Sequence, residues 1–178
     1  MNLLTGQKIE REDLKPGDHI YAWRTLYIYA HHGIYIGDDK VIHFTEPNGQ
    51  KCVAGYVVKS ISPSLGCPKC GALKNKTNNG VTVSCLDCFL DGRELYRYEY
   101  SVSRKLFYKS RNRTCSVAKS DPPDIVVGRA TACIEEGFGE YKLIGNNCED
   151  FALYCKTGNV KARKSFDFTH IRFAYNTK

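Results

Sequence analysis

Two different hydrophobic patterns, one after the other along the chain, constrain the fold most strongly. Residues 19–44 are dense in Ile, Tyr and Val and are interrupted only at 23–25 and at Gly37-Asp38-Asp39. This pattern predicts two or three strands, of which the last two form a hairpin that turns at the Gly-Asp-Asp sequence. Residues 54–58 and 95–100 have the composition of further strands. The first two thirds of the chain therefore predict a β-sheet.

The last third of the chain predicts two helices instead. The first begins at Asp121, a capping residue that two prolines follow, and continues to Gly137 with apolar residues near helical spacing. The second begins at Asn147, which can cap the first turn, and ends at Gly158. Strands followed by helices indicate the α+β class, in this case an antiparallel sheet with helices packed on one side.

A cysteine at the predicted start of the second helix is a candidate nucleophile. A helix N-terminus and a nearby imidazolium both lower the pKa of a thiol, and the thiolate is the reactive form. Cys148 occupies this position, although Glu149 and Asp150 oppose the effect if their charges face the sulfur. A histidine partner is therefore required, and His31 and His43 are the candidates. From local sequence alone, a structural role stays open for the cysteine and for both histidines.

The spacing of the two histidines does not by itself bring them together. A two-residue turn at Asp38-Asp39 would place His43 opposite Ile34. His31 would then lie three residues further along its strand, roughly 10 Å away. A bulge, a different turn register or a strong twist is needed for contact between the two imidazoles.

Two Cys-x-x-Cys pairs predict a metal site. The pairs are Cys67/Cys70 and Cys85/Cys88, and four thiolates from two such turns can converge on one tetrahedral zinc ion. Since the protein fills all four positions, the zinc is expected to be structural; a redox pair or free thiols are the alternatives. Residues 62–92 lose periodicity and gain Pro, Gly, Asn and Cys, and are interpreted as an irregular insertion between strands of one sheet that the zinc holds together.

Composition limits the classes of protein. The 178 residues suffice for one domain with a small insertion. The nine cysteines are odd in number, and there is neither a leader-like apolar segment nor an apolar run of membrane-spanning length. A cytoplasmic protein that is not secreted is therefore expected. The formal net charge of +7 is spread out, so a solvated basic face is favoured over an anionic-membrane contact, and no nucleic-acid motif accompanies it.

Three motifs together resemble a known family. They are His-x-Gly-Ile-Tyr-x-Gly at 31–37, Val-Ile-His at 41–43 and Asn-Cys-Glu-Asp-Phe at 147–151. Their order and spacing resemble the lecithin:retinol acyltransferase-like (LRAT, or NC-domain) family, in particular plant members of the LEAD-SENSITIVE type. The resemblance implies a circularly permuted papain-like fold over residues 13–157, interrupted by the insertion and followed by a basic tail at 158–178.

The resemblance also implies an activity and residue roles. It makes Cys148 the nucleophile, His31 the base, His43 the residue that orients and polarises His31, and Tyr29 a support for the oxyanion. The implied reaction is acyl transfer from a phospholipid or other acyl lipid through a thioester, by an acyltransferase or phospholipase A-type enzyme without an organic cofactor. Two alternatives stay open. One is a non-catalytic signalling or protein-interaction module with a partner surface at the zinc insertion, and the other is a cysteine peptidase.

Overall fold

The computed structural model describes residues 6–24, 29–46, 50–53, 56–59, 67–70, 80–110 and 114–159. Within these residues, eight strands are present: β1 Gln7–Lys8, β2 His19–Trp23, β3 Ala30–Gly37, β4 Lys40–Phe44, β5 Gln50–Val53, β6 Tyr56–Lys59, β7 Val81–Cys85 and β8 Tyr96–Arg97. Six of them form an antiparallel sheet in the order β1-β8-β2-β3-β4-β7, and β5 pairs with β6. The predicted α+β class with an antiparallel sheet is confirmed.

Four α-helices and a short 3-10 helix accompany the strands in the described part of the chain. They are the 3-10 helix Arg11–Asp13 and the α-helices α1 Leu86–Leu90, α2 Arg104–Lys109, α3 Pro123–Glu136 and α4 Cys148–Thr157. None of these helices combines the length and the apolar character that crossing a bilayer requires. Both long helices lie in the last third, as the sequence predicts.

Helices cover both faces of the sheet rather than one. Ile34 and Phe44 pack on α3 and α4 through residues such as Phe151. On the opposite face, Val41 packs on α1, whose Phe89 is 1% exposed. Successive strand residues point to opposite faces, which is why β4 contributes to both clusters. The expectation of helices on one side is therefore wrong, because α1 supplies a second layer that periodicity did not reveal.

The hairpin between β3 and β4 contains the bulge that the histidine spacing requires. Asp38 and Asp39 adopt positive φ angles of 48° and 58°, as a tight two-residue hairpin turn demands. Gly37 pairs with Lys40, but the next pair is Tyr35 with Val41, so Ile36 is an extra residue on β3. Beyond this bulge, His43 lies opposite Gly33 instead of opposite Ile34.

The segment interpreted as irregular, residues 62–92, is partly regular. Val81–Cys85 is the edge strand β7, which pairs with β4 along its whole length, and α1 follows directly and buries Leu86 and Phe89 in the core. The interpretation is therefore wrong for residues 81–90, because neighbouring Gly, Asn and Cys conceal a five-residue strand. Residues 62–66 and 71–79 lie outside the described residues. The boundaries 13–157, 62–92 and 158–178 stay predictions.

The other predicted elements differ from the structure only at their ends. Of the predicted strand 95–100, residues 96–97 are in β8. Residues 54–55 lie outside the described residues, whereas 56–59 form β6. The cap of α3 is Pro122 rather than Asp121, whose carboxylate instead forms an ion pair with Arg129 at 2.7 Å. Residues 160–178 of the predicted tail lie outside the described residues.

Candidate active site

Cys148 is the first residue of α4, as the sequence predicts, and a capping box precedes it. The side-chain oxygen of Asn147 accepts hydrogen bonds from the backbone N–H groups of Glu149 and Asp150, at 2.9 and 3.1 Å. The Asp150 carboxylate in return accepts from the Asn147 backbone N–H at 3.0 Å. This reciprocal pair fixes the start of the helix and hence the position of the thiol.

The Cys148 thiol is buried against the backbone of β3. Its sulfur lies 3.8 Å from the Ala30 carbonyl oxygen, and the His32 backbone N–H donates to it. Burial raises the pKa of Cys148 to about 11; the Glu149 charge adds to the rise, whereas the His32 amide and the Tyr141 hydroxyl oppose it. Desolvation thus outweighs the helix N-terminus, which by itself lowers the pKa of a thiol. The resting group is a thiol.

The two candidate histidines are hydrogen-bonded to each other. Nε2 of His31 lies 2.9 Å from Nδ1 of His43, and the two rings meet edge to face at 86°. The bulge at Ile36 explains this contact, because His31 is only two residues from Gly33, the cross-strand partner of His43. His31, Gly33 and His43 therefore point to the same face of the sheet.

The surroundings of the histidine pair keep His43 neutral. Burial lowers the pKa of His43 to about 4, and the nearby Arg24 cation contributes to the decrease. The second ring nitrogen of His43, Nε2, lies 3.0 Å from the Ser84 hydroxyl oxygen. Ser84, His43 and His31 thus form one continuous row of hydrogen-bonding groups.

Helix α1 packs on the histidine pair. The Phe89 ring packs on both imidazoles, with centroids 5.3 Å from His31 and 5.6 Å from His43. The Arg24 guanidinium donates to the carbonyl oxygens of Phe89 and of Leu90, the latter at 2.7 Å. Arg24 thereby fixes the C-terminal end of α1, and with it the ring that covers the histidines.

A cavity gives access to the pair. Its lining contains Tyr29, His31, His43 and further side chains from four parts of the chain: Arg24, Thr45, Glu46, Cys88, Phe89, Asp91, Tyr141 and Leu143. Tyr29 and both histidines thus share one cavity, and the Cys148 thiol lies against the strand residues on either side of His31. Sequence reasoning did not identify Arg24, Ser84, Phe89 or Tyr141, since none of them belongs to a recognisable local motif.

The four cysteines of the two Cys-x-x-Cys pairs form a cluster next to this cavity. All four sulfur atoms lie within 4.8 Å of one another, with Cys67 to Cys85 at 3.9 Å and Cys70 to Cys88 at 3.7 Å. Tetrahedral zinc with four bonds of about 2.3 Å separates its sulfur ligands by roughly 3.8 Å. The donor set and the sulfur separations therefore fit a metal ion such as zinc.

Comparison with known proteins identifies the family. The family model described as lecithin retinol acyltransferase (LRAT) matches residues 12–161, so the chain belongs to this family. The resemblance noted from the three motifs is therefore confirmed.

Two curated relatives illustrate the similarity. The chain is 52% identical over 162 residues to Protein LEAD-SENSITIVE 1 of Arabidopsis thaliana. This alignment covers 86% of this chain and 61% of that protein. The chain is 24% identical over 159 residues to human lecithin retinol acyltransferase. This alignment covers 89% of this chain and 61% of the human protein. The chain thus spans less than two thirds of the length of either relative.

Proposed function

We propose that the chain is a cysteine-dependent acyltransferase or phospholipase A-type enzyme that acts on phospholipid acyl esters through a thioester on Cys148. Membership of the LRAT family supports an acyl-transfer activity, and the human relative is named an acyltransferase. The observation that carries the proposal is the 2.9 Å contact between His31 and His43, in a cavity beside the strand that packs on the cysteine thiol.

In this proposal, His31 is the general base. A thiol whose pKa is raised to about 11 needs a base at the moment of attack. Because Nε2 of His31 is directed at Nδ1 of His43, Nδ1 of His31 is the nitrogen that takes the thiol proton. His43 stays neutral near pH 7 and accepts the Nε2–H hydrogen bond, which stabilises the imidazolium that forms on His31.

The reaction then proceeds in two acyl transfers. The Cys148 sulfur bonds to the ester carbonyl carbon, and the carbonyl π electrons move to the oxygen. When this oxyanion collapses, the bond to the lysophospholipid oxygen breaks, and this oxygen takes the proton from His31. Water, an amine or an alcohol, deprotonated by His31, subsequently attacks the thioester and releases the thiol.

Tyr29 is proposed to donate a hydrogen bond to the oxyanion. Tyr29 lines the same cavity as both histidines. Burial raises the pKa of Tyr29, so its hydroxyl group keeps its proton at neutral pH. A protonated phenol can donate to the negative charge that develops on the carbonyl oxygen.

A structural zinc ion at Cys67, Cys70, Cys85 and Cys88 is part of the proposal. Zinc would fasten the loop at 67–70 to the start of α1, since Cys85 precedes this helix and Cys88 lies within it. Metal analysis of the purified protein should give one zinc per chain. The double variant Cys67→Ser/Cys70→Ser should lose the metal, whereas Cys133→Ser, a buried cysteine of α3, should keep it. Full zinc stoichiometry in the double variant would refute the assignment.

Intact-mass spectrometry after incubation with defined phospholipids tests the enzymatic proposal. Wild type should acquire a hydroxylamine-labile acyl adduct that Cys148→Ala lacks. Cys155→Ala is the matched control, because Cys155 is a buried thiol of the same helix and should leave the adduct unchanged.

Three results would contradict this proposal. An adduct on Cys148→Ala would refute the nucleophile assignment. Absence of both adduct and lipid turnover in folded wild type would favour a signalling or protein-interaction module, and turnover of labelled peptides alone would favour a cysteine peptidase. Contact with an anionic membrane and a protein partner at the cysteine cluster stay predictions.

A further inference from the structure

We propose that Ser84 is a positioning residue for the histidine pair, and that its hydroxyl group holds the His43 ring with Nδ1 directed at His31. The proposal deepens the function proposed above and rests on it. Ser84 belongs to none of the three family-like motifs. It lies on β7, and its side chain is directed at the nitrogen of His43 that faces away from His31.

The structure holds Ser84 firmly in this place. β7 pairs with β4 over five consecutive residue pairs, in which Ser84 lies opposite Val41 and Thr82 opposite His43. Ser84 is therefore on the same face of the sheet as His43 and diagonal to it. Its exposure is 3%, and its hydroxyl oxygen lies 3.0 Å from Nε2 of His43. A hydroxyl that is withdrawn from water in this way is a specific partner for the imidazole nitrogen.

The positions of the protons on His31 and His43 that base catalysis requires follow from counting protons. A neutral imidazole carries one N–H, so one nitrogen donates and the other accepts. For Nδ1 of His31 to accept the thiol proton, the single proton of His31 must be on Nε2, where it is donated to Nδ1 of His43. The proton of His43 must then be on Nε2, where it is donated to the Ser84 oxygen.

The opposite tautomer of His43 is unsuited to base catalysis. With its proton on Nδ1, His43 would donate to Nε2 of His31, and the proton of His31 would move to Nδ1. The nitrogen needed as the base would then already be protonated. The Ser84 hydroxyl group can accept from Nε2–H or donate to an unprotonated Nε2, so it holds the ring in either tautomer and supplies the acceptor that the productive arrangement needs.

Enzyme kinetics test the positioning role. Ser84→Ala should lower kcat for acyl transfer about 10- to 100-fold, within the range that general base catalysis contributes. KM should change less than about 2-fold, since the serine lies behind the histidines rather than in contact with substrate. Ser84→Thr should restore kcat to within about 3-fold of wild type, because it retains the hydroxyl. Ser110→Ala, which removes a different buried serine hydroxyl, should have wild-type kcat.

Nitrogen-15 chemical shifts of the histidine side chains give a second, independent measurement. They should show a hydrogen-bonded Nε2 of His43 in wild type, and the Nε2 signal should shift in Ser84→Ala but not in Ser110→Ala. Metal content has to be measured in parallel, because Ser84 precedes Cys85, and it should be unchanged.

The outcomes separate this proposal from the proposed function. Wild-type kcat in Ser84→Ala, or an unchanged Nε2 chemical shift of His43 in that variant, would overturn the role of Ser84. A wild type without any acyl transfer would refute the proposed function alone, since the nitrogen-15 comparison of wild type with Ser84→Ala still decides whether Ser84 holds the His43 ring.

Discussion

Lowering the pH from 7 to 5 should strongly destabilise the protein through two histidines that lie outside the candidate active site. His19 and His32 are 1% and 6% exposed, and Nε2 of His19 lies 2.9 Å from Nδ1 of His32. Nδ1 of His19 also lies 2.9 Å from the Tyr100 hydroxyl oxygen, and the Lys156 cation is nearby. Burial lowers the pKa of both histidines, that of His32 to about 3. Both rings are therefore shifted toward the neutral form in the folded state, and His32 is neutral at pH 5.

The size of the effect follows from proton linkage. An unfolded histidine has a pKa of about 6.5, so the unfolded state takes up protons first as the pH falls. The stability due to the neutral pair is fully present above about pH 6.5 and decreases as the pH falls toward the lower folded-state values. For His32, with a folded pKa of about 3, the change from pH 7 to pH 5 costs about 2 kcal/mol, and His19 adds to this loss in the same direction. Domains of ordinary stability have about 5–15 kcal/mol in total.

Denaturant unfolding at the two pH values measures this loss. Fluorescence of Trp23, the single tryptophan, reports unfolding. The matched variant is His19→Asn/His32→Asn, since neutral amides retain hydrogen-bonding groups but do not titrate. The pH-dependent loss should be smaller in the variant than in wild type, by about 2 kcal/mol from His32 and by a further contribution from His19. Other groups that titrate, including the cysteine cluster and His43, affect both proteins alike.

An equal pH dependence in the two proteins would refute the reasoning, because the pair would then titrate in the folded state much as it does in the unfolded chain. If the variant does not fold, proton NMR of wild type decides the question. The His32 ring signals should not titrate between pH 7 and pH 5, and those of His19 should have a midpoint well below 6.5. A midpoint near 6.5 for both rings would refute the reasoning in the same way as an equal pH dependence.

Three substitutions near the histidine pair and the capping box should have calculable effects on unfolding free energy, measured by denaturant titration. Phe89→Ala should cost about 3–5 kcal/mol and lower acyl transfer, because its ring packs on both imidazoles; unchanged activity would contradict this. Gly33→Ala should cost about 1–3 kcal/mol, since its Cβ would lie 2.7 Å from a Val41 methyl carbon. The control Gly128→Ala, where a Cβ would have no neighbouring atom within 4 Å, should gain about 0.5–1 kcal/mol. Equal effects of the two substitutions would refute the role of the Val41 contact. Asn147→Ala should cost about 0.5–2 kcal/mol through loss of the helix cap, and an unchanged midpoint would exclude that role.

Elements that depend on local chemistry were predictable from the sequence. The turn at Asp38-Asp39, the cap at Asn147 and the end of α4 at Gly158 each follow from one or two residues. β7 and α1 were not predictable in the same way. Both are only five residues long, and what makes them part of the core is pairing with β4 and burial of Phe89, which are long-range contacts.

The chemistry of the candidate nucleophile was predictable in position but not in pKa. The motif around Cys148 places it at a helix start, and the structure agrees. The helix dipole acts locally and can be inferred from sequence, whereas desolvation depends on what packs around the sulfur. Since burial is the larger effect here, the thiol needs its base more than the sequence alone indicates.

The contact between His31 and His43 depends on a residue that neither motif marks as special. Without the bulge at Ile36, His43 would pair with Ile34, and cross-strand partners share a face of the sheet. Ile34 faces α3 and α4, so His43 would either leave the face that carries His31 or draw Ile34 out of the core. The bulge avoids both outcomes. It keeps Ile34 opposite Ile42 in the core, and it places His43 diagonal to His31 on the other face. The geometry of the candidate site and the packing of the core are thus determined by the same single-residue shift in register.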